Sequence, residues 1–214
     1  MLFRSEAQHL TVEPARIRVP SRPMRILDFD VEARPLHWIA SDYVSKEITA
    51  IAWKFIGEPE PAQCWLLGEC EPTRMLRAFV AAYDTADMVT GHYIRGYDLQ
   101  VVSGALAEYQ MPPLGKKLTQ DTKLDLMRLS GLSKSQESLG ATLGLEHPKI
   151  QMNQAKWRAA NRLEREGLTA VRERVVGDVL QHIELRQRLL DLGYLGPAKL
   201  WESNGSQPVP SYTP

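Results

Sequence analysis

The sequence predicts an α/β domain on a mixed sheet: a three-strand antiparallel meander, followed by alternating helices and strands, flanked by helices. Three observations carry this. Three β-rich segments follow one another through short connections between residues 25 and 68. Helical and strand-like spacings then alternate from 72 to 129. The last long periodic stretch, 168–192, is helical.

Residues 1–22 read as an arm, in which LTVEPARIRVP is either a short edge strand or disordered. The first strand runs from about 25 to 33 within ILDFDVEARP. EITAIAWKF (47–55) and QCWLLG (63–68) are rich in β-formers, and GEPEPA between them has the Gly and Pro of a turn. PTRMLRAFVAAYD (72–84) spaces Met75, Leu76, Phe79, Val80 and Tyr83 as one face of a helix. DMVTGHYI (87–94) reads as a short buried strand, and DLQVVSGALAEYQ (98–110) as a helix. A further strand lies within 118–129, and a short helix at 135–145 has Ser135 and Ser138 as capping candidates. WRAANRLERE is a polar helix, and LTAVRERVVGDVLQHIELRQRLLDL is the long final one. The division expected is an arm (1–22), one domain (23–196) and a Pro-, Ser- and Gly-rich flexible tail (197–214). No internal repeat is present.

At 214 residues with 43% hydrophobic content, the chain is long enough for one substantial core. It has no apolar run of membrane-spanning length and no signal-peptide pattern at its start, so a cytoplasmic protein is expected, without a membrane partner. Cys64 and Cys70 are too few for a disulfide framework or a cysteine zinc site, and read as reduced packing residues. Net charge is zero, so charge alone does not announce a nucleic-acid binder. Between 113 and 165, however, ten basic residues face five acidic ones. Such a run is most simply a solvated face.

The first strand raises a question of charge. Side chains alternate along a strand, so Phe29 and Val31 point one way while Asp28, Asp30 and Glu32 point the other. Three carboxylates in a row repel one another and are costly to bury without a counter-charge. Two further acids belong with them. Asp98 begins a helix after a strand and a Gly-containing turn, where the plain alternative is a helix-start residue. On the final helix, Leu168, Val171, Val175, Val179 and Ile183 form the apolar stripe, and Asp178 lies about 60° from its centre at 100° per residue. Glu173, Glu184 and Asp191 fall on the opposite face, so Asp178 is the acid turned toward the sheet; the plain alternative is an ion pair with Arg174. Converging, Asp30, Glu32, Asp98 and Asp178 form an oxygen-donor set for two Mg²⁺ or Mn²⁺ ions, the arrangement suited to phosphodiester hydrolysis. On this reading metal is the missing positive charge.

With these residues in view, the sequence resembles the DnaQ-like, or DEDD, superfamily of 3′–5′ exonucleases, which have an RNase H-like fold. FDVE matches the first motif with Asp30 and Glu32; GHYIRGYD matches the second with His92, Tyr97 and Asp98; VVGDVLQH places Asp178 as the third. The likeness covers about residues 24–195, and its wording is most similar to exonucleases of actinobacterial phages, which would place the protein in a host cytoplasm. One departure matters. The family has a Tyr four residues, or a His five residues, before the final Asp, as general base; here those positions are Arg174 and Glu173. Three explanations stand open: His182, one turn beyond Asp178, reaches the attacking water; a water activated by metal suffices; or the enzyme is impaired. His92 reads as holding the turn before Asp98 or contacting substrate. Asp28 reads as orienting a ligand or bonding at the sheet edge, and Asp121 has no assigned role.

The resemblance implies a metal-dependent 3′–5′ exonuclease acting on single-stranded or frayed DNA ends, RNA not being excluded, in replication, proofreading or repair, with a DNA polymerase as a conceivable partner. Lys116, Lys117, Lys123 and Lys156 are candidate phosphate contacts, and Trp157 a stacking platform or, more plainly, a core residue. Two other readings remain: a catalytically impaired RNase H-like module that binds nucleic acid or a replisome protein, and an endonuclease with the same metals.

Overall fold

The computed structural model describes residues 22–36, 44 and 46–203. The arm expected at 1–22 lies, except for Arg22, outside the described residues. Six strands form one sheet in the order β3-β2-β1-β4-β5-β6. The strand β1 (Ile26–Pro35) pairs antiparallel with β2 (Lys46–Phe55), which pairs antiparallel with β3 (Gln63–Leu66), the expected meander. On the other side of β1 come β4 (Met88–Gly91) and β5 (Lys117–Asp121), each parallel to its inner neighbour. The edge strand β6 (Lys199–Trp201) runs antiparallel to β5. These three residues lie in the stretch read as a flexible tail. Residues 204–214 of that stretch fall outside the described residues.

Helices cover both faces. On one, α1 (Pro72–Thr85) and α2 (Asp98–Glu108) bury Phe79, Tyr83, Leu99 and Val102 against Leu27, Phe29 and Val31 of β1. On the other, α6 (Arg165–Asp191) crosses β1, β2 and β3, supported by α5 (Gln154–Asn161). Its Val171, Val175 and Val179 meet Ala50, Ala52 and Leu66. Two short helices, α3 (Thr122–Leu126) and α4 (Gln136–Leu143), close the end of that layer around Leu126, Leu139, Leu185 and Leu189. Ser135 caps α4 as expected, its hydroxyl accepting the Ser138 amide at 3.1 Å.

Alternation explains which β1 side chains meet which layer. Leu27, Phe29 and Val31 enter the α1/α2 core, and the acids between them face α6. Ala52 and Ala50 lie opposite Asp30 and Glu32 on β2, so that strand sets only small side chains beside the two carboxylates. The ladder slips after Glu32: Ala33 pairs with Ile48, leaving Thr49 as the extra residue of a bulge. That residue resets the parity of β2, and Ile48 joins Ile51 in the first core.

Candidate metal centre

β1 supplies Asp30 and Glu32, and α6 lowers Asp178 onto them. One carboxylate oxygen from each lies within 4.8 Å of the others. Asp178 is only 3% exposed, as its place beside the apolar stripe predicts. Asp98 begins α2 at the neighbouring edge, where one of its oxygens accepts the Val31 amide at 3.0 Å. Three of the four expected carboxylates thus come together directly, and the fourth is tied to β1 beside them.

These acids are ill at ease as anions. Burial raises Asp30, and the charges of Asp98, Asp178 and Glu32 drive it well above the usual carboxylate range. Burial pushes Asp98 up to about 7, against the pull of the Val31 amide. Burial also raises Glu32 and Asp178, with Arg174 drawing Glu32 back and Lys149 and Arg174 drawing Asp178 back. A divalent cation would relieve all four. The residues present fit such an ion: the set is all oxygen, and Oδ1 of the buried Asp178 has no hydrogen-bond partner among the described residues.

The chain meets part of this charge itself, which revises the expectation that metal alone does so. Arg174 Nε lies 2.9 Å from Asp178 and 3.5 Å from Glu32, so the pairing along α6 extends to the sheet. Lys149 Nζ lies 3.4 Å from Asp178. Lys149 carried no sequence signal, because it sits in an aperiodic loop between α4 and α5. Asp30 has no ion-pair partner among the described residues.

Asp28 belongs to a different network. It is fully buried, and its Oδ2 lies 2.6 Å from Nδ1 of His182. Nε2 of His182 lies 3.0 Å from the Thr122 hydroxyl, which lies 2.9 Å from Nδ1 of His92. Nε2 of His92 faces the Lys134 carbonyl at 2.7 Å. A carbonyl only accepts, so His92 donates there, and its Nδ1 accepts from Thr122. Thr122 then accepts from His182, whose other nitrogen faces the Asp28 carboxylate. Burial and the neighbouring His182 lower His92 to about 3, consistent with a neutral ring. His182 is 2% exposed with both nitrogens engaged, which corrects its candidacy as the base for an attacking water. His92 likewise holds the turn and has no ring nitrogen free for substrate.

Asp121 acquires a role. Its Oδ1 accepts the amides of Tyr93 at 3.1 Å and Leu124 at 3.0 Å, and its Oδ2 that of Arg95 at 2.9 Å. It thereby fixes the turn leading to Asp98, in which Tyr93 adopts a φ of +79°.

The candidate nucleic-acid residues scatter. The ring of Tyr97 carries Lys46 at 4.5 Å, and that of Tyr93 carries Lys123 at 4.1 Å, both at the end of the sheet near Asp98 and Asp121. Lys116 pairs with Glu202, and Lys117 donates to the Ala86 carbonyl. Leu118 is level with Met88, and Met88 with Ile26, so Lys117 sits five strand positions before Asp30, roughly 16 Å along the sheet. Lys116 and Lys117 are therefore corrected: they face the opposite end from the carboxylates. Lys156 is half-buried on α5. Trp157 is partly buried against the core cluster that contains Ala52 and Val175, the plainer of its two readings.

No family model matches the chain, and no curated protein does. Among solved structures the chain is similar to the family B DNA polymerase from the hyperthermophilic archaeon Pyrobaculum calidifontis, with a TM-score of 0.61 at 14% identity. The likeness covers 81% of this chain and 25% of the polymerase, so the chain spans about a quarter of that protein's length. At that identity it is a likeness of fold: the chain has an RNase H-like mixed α/β architecture, which it shares with part of a DNA polymerase.

Proposed function

We propose that this protein is a metal-dependent 3′–5′ exonuclease acting on single-stranded or frayed ends of DNA. The observation that carries the reading is the meeting of Asp30, Glu32 and Asp178 within 4.8 Å, beside Asp98. The fold it shares with part of a DNA polymerase supports DNA as the polymer, and proofreading beside a polymerase as one setting.

Asp30, Glu32, Asp98 and Asp178 would hold Mg²⁺ or Mn²⁺, two ions in the full arrangement. Such ions, when bound, activate a water and stabilise the leaving oxygen of a phosphodiester. The water oxygen bonds to phosphorus, the P–O3′ bond breaks, and a nucleoside 5′-monophosphate leaves a new 3′-hydroxyl. The carboxylates must be ionised to hold metal, and burial, which raises all four, opposes that, so metal binding should tighten as pH rises. Arg174 cannot act as a base, since a guanidinium does not deprotonate in proteins. Asp121 and His92 keep the turn that presents Asp98 in place.

The test is a 5′-labelled single-stranded oligonucleotide incubated with Mg²⁺ or Mn²⁺, with EDTA as control. The expected product is a metal-dependent ladder shortening from the 3′ end, absent in Asp30→Ala. Full activity in purified Asp30→Ala would overturn the assignment, and internal cuts would point to an endonuclease. The cations on the cluster favour a second reading, a binding module without catalysis. That reading predicts no ladder on DNA or RNA with either metal.

A further inference from the structure

We infer that Arg174 and Lys149 form an exchangeable pair: counter-ions of the carboxylates while the site lacks metal, and phosphate-binding cations once divalent ions take their place. The inference rests on the nuclease reading and assigns the two residues a substrate chemistry, a phosphate monoester or diester.

The pair is held by a strap. Residues 146–150 run along α6 against its direction, tied at successive turns. Glu184 accepts the amides of Glu146 at 2.9 Å and His147 at 3.2 Å, and also meets the His147 ring. Gln181 donates to the His147 carbonyl at 2.8 Å. Arg174 donates through Nη1 to the Ile150 carbonyl at 2.5 Å. Ile150 lies over Gly177, where an added Cβ would stand 3.2 Å from its Cδ1. The strap sets Lys149 at the rim of the cluster, its side chain 20% exposed.

The contacts to the carboxylates are charge proximity more than bonding. Arg174 Nε, although 2.9 Å from Asp178, is aligned for a hydrogen bond to no partner among the described residues. Lys149 stands 3.4 Å from Asp178, longer than a normal charged hydrogen bond. Both are close ion pairs, yet neither is a well-aligned hydrogen bond that would fix the cation on its carboxylate. The tethers of Arg174 to Ile150 and of the strap to α6 leave both cations at the site when the carboxylates change partners. The charge balance says what they turn to. Ionised as metal binding requires, four carboxylates and two cations leave two negative charges. One divalent ion neutralises them, and a second leaves two positive charges without an anion. The anion a nucleic acid brings is phosphate, and a planar guanidinium beside an ammonium is suited to it.

The exchange predicts opposite effects from one substitution. Mn²⁺ is titrated calorimetrically into the wild type, Lys149→Met and Arg174→Met, and thymidine 5′-monophosphate is then titrated at saturating Mn²⁺. In Lys149→Met the expected result is Mn²⁺ binding tightened about tenfold, through loss of a competing charge. Nucleotide binding should weaken by a similar factor. Arg174→Met should shift both in the same directions; because its Nη1 holds the strap, the rim residue Lys149 is the primary variant. Mn²⁺ affinity unchanged or weakened in Lys149→Met overturns the counter-ion role, and unchanged nucleotide affinity overturns the phosphate role. Absence of Mn²⁺ binding in the wild type overturns the metal centre itself, and with it the nuclease reading.

Discussion

At His92 the fold holds a titratable ring at one end of a hydrogen-bonded network that runs from Asp28 through His182 and Thr122, joining β1, α6, α3 and the turn after β4. Its ring is neutral in the fold, with its pKa lowered from 6.5 to about 3. As pH falls below 6.5, the unfolded chain takes a proton that the folded chain refuses, so this group's contribution to stability is present above 6.5 and is lost toward 3. The slope is at most about 1.4 kcal/mol per pH unit. In urea unfolding, the stability gap between wild type and His92→Asn should shrink by about 2 kcal/mol between pH 7.5 and pH 5. A constant gap would mean that the imidazole titrates in the fold as it does in the unfolded chain, near 6.5. No local period relates the members of that network, whereas the inward turn of Asp178 and its pairing with Arg174 follow from helical spacing, because both partners lie on one helix.

Most elements were legible because each has its own signal: alternation in β1, helical stripes in α1 and α6, a serine cap on α4. What escaped was pairing without local pattern. Lys199–Trp201 is a strand because β5 offers it an edge and Thr119 donates to the Lys199 carbonyl at 2.9 Å, not because three residues carry a period. The Thr49 bulge, likewise, is visible only once β1 and β2 are in register. Two joints between elements should be intolerant of change. At Gly167 an added Cβ would stand 2.1 Å from the Ala160 nitrogen, where α5 and α6 touch, and backbone on both sides cannot yield. Gly167→Ala should destabilise by about 2 kcal/mol or more through overpacking, read as a lower urea midpoint; an unchanged midpoint would show that α5 shifts freely. Asp121→Ala strands three amides at the joint between β5 and the turn before α2, and should cost about 2–3 kcal/mol in the same measurement. A loss of a few tenths would mean that water replaces the carboxylate.

On the scale of the whole molecule, the candidate centre draws residues 30, 98 and 178 from β1, α2 and α6, and so exists only in the folded chain. No helix among the described residues is long and apolar enough to cross a membrane. The charge buried at the centre is a mutual strain among carboxylates that face one another across the sheet and α6, incompletely offset by Arg174 and Lys149. A ligand that binds only the folded state stabilises it by mass action, about 2.7 kcal/mol at one hundred times its dissociation constant. For a domain of this size that corresponds to a rise in Tm of about 5–10 °C. The rise should appear when Mn²⁺ replaces EDTA in a thermal scan, and should be lost in Asp30→Asn. The same variant should melt no lower than wild type in EDTA, because it removes the carboxylate with the most like-charge neighbours and no ion-pair partner among the described residues. A rise that survives Asp30→Asn would put the ion elsewhere in the molecule. A lower melting point in EDTA would mean that the Asp30 carboxylate stabilises the apo fold, and that the strain argued from its burial is offset by contacts to Asp30 itself.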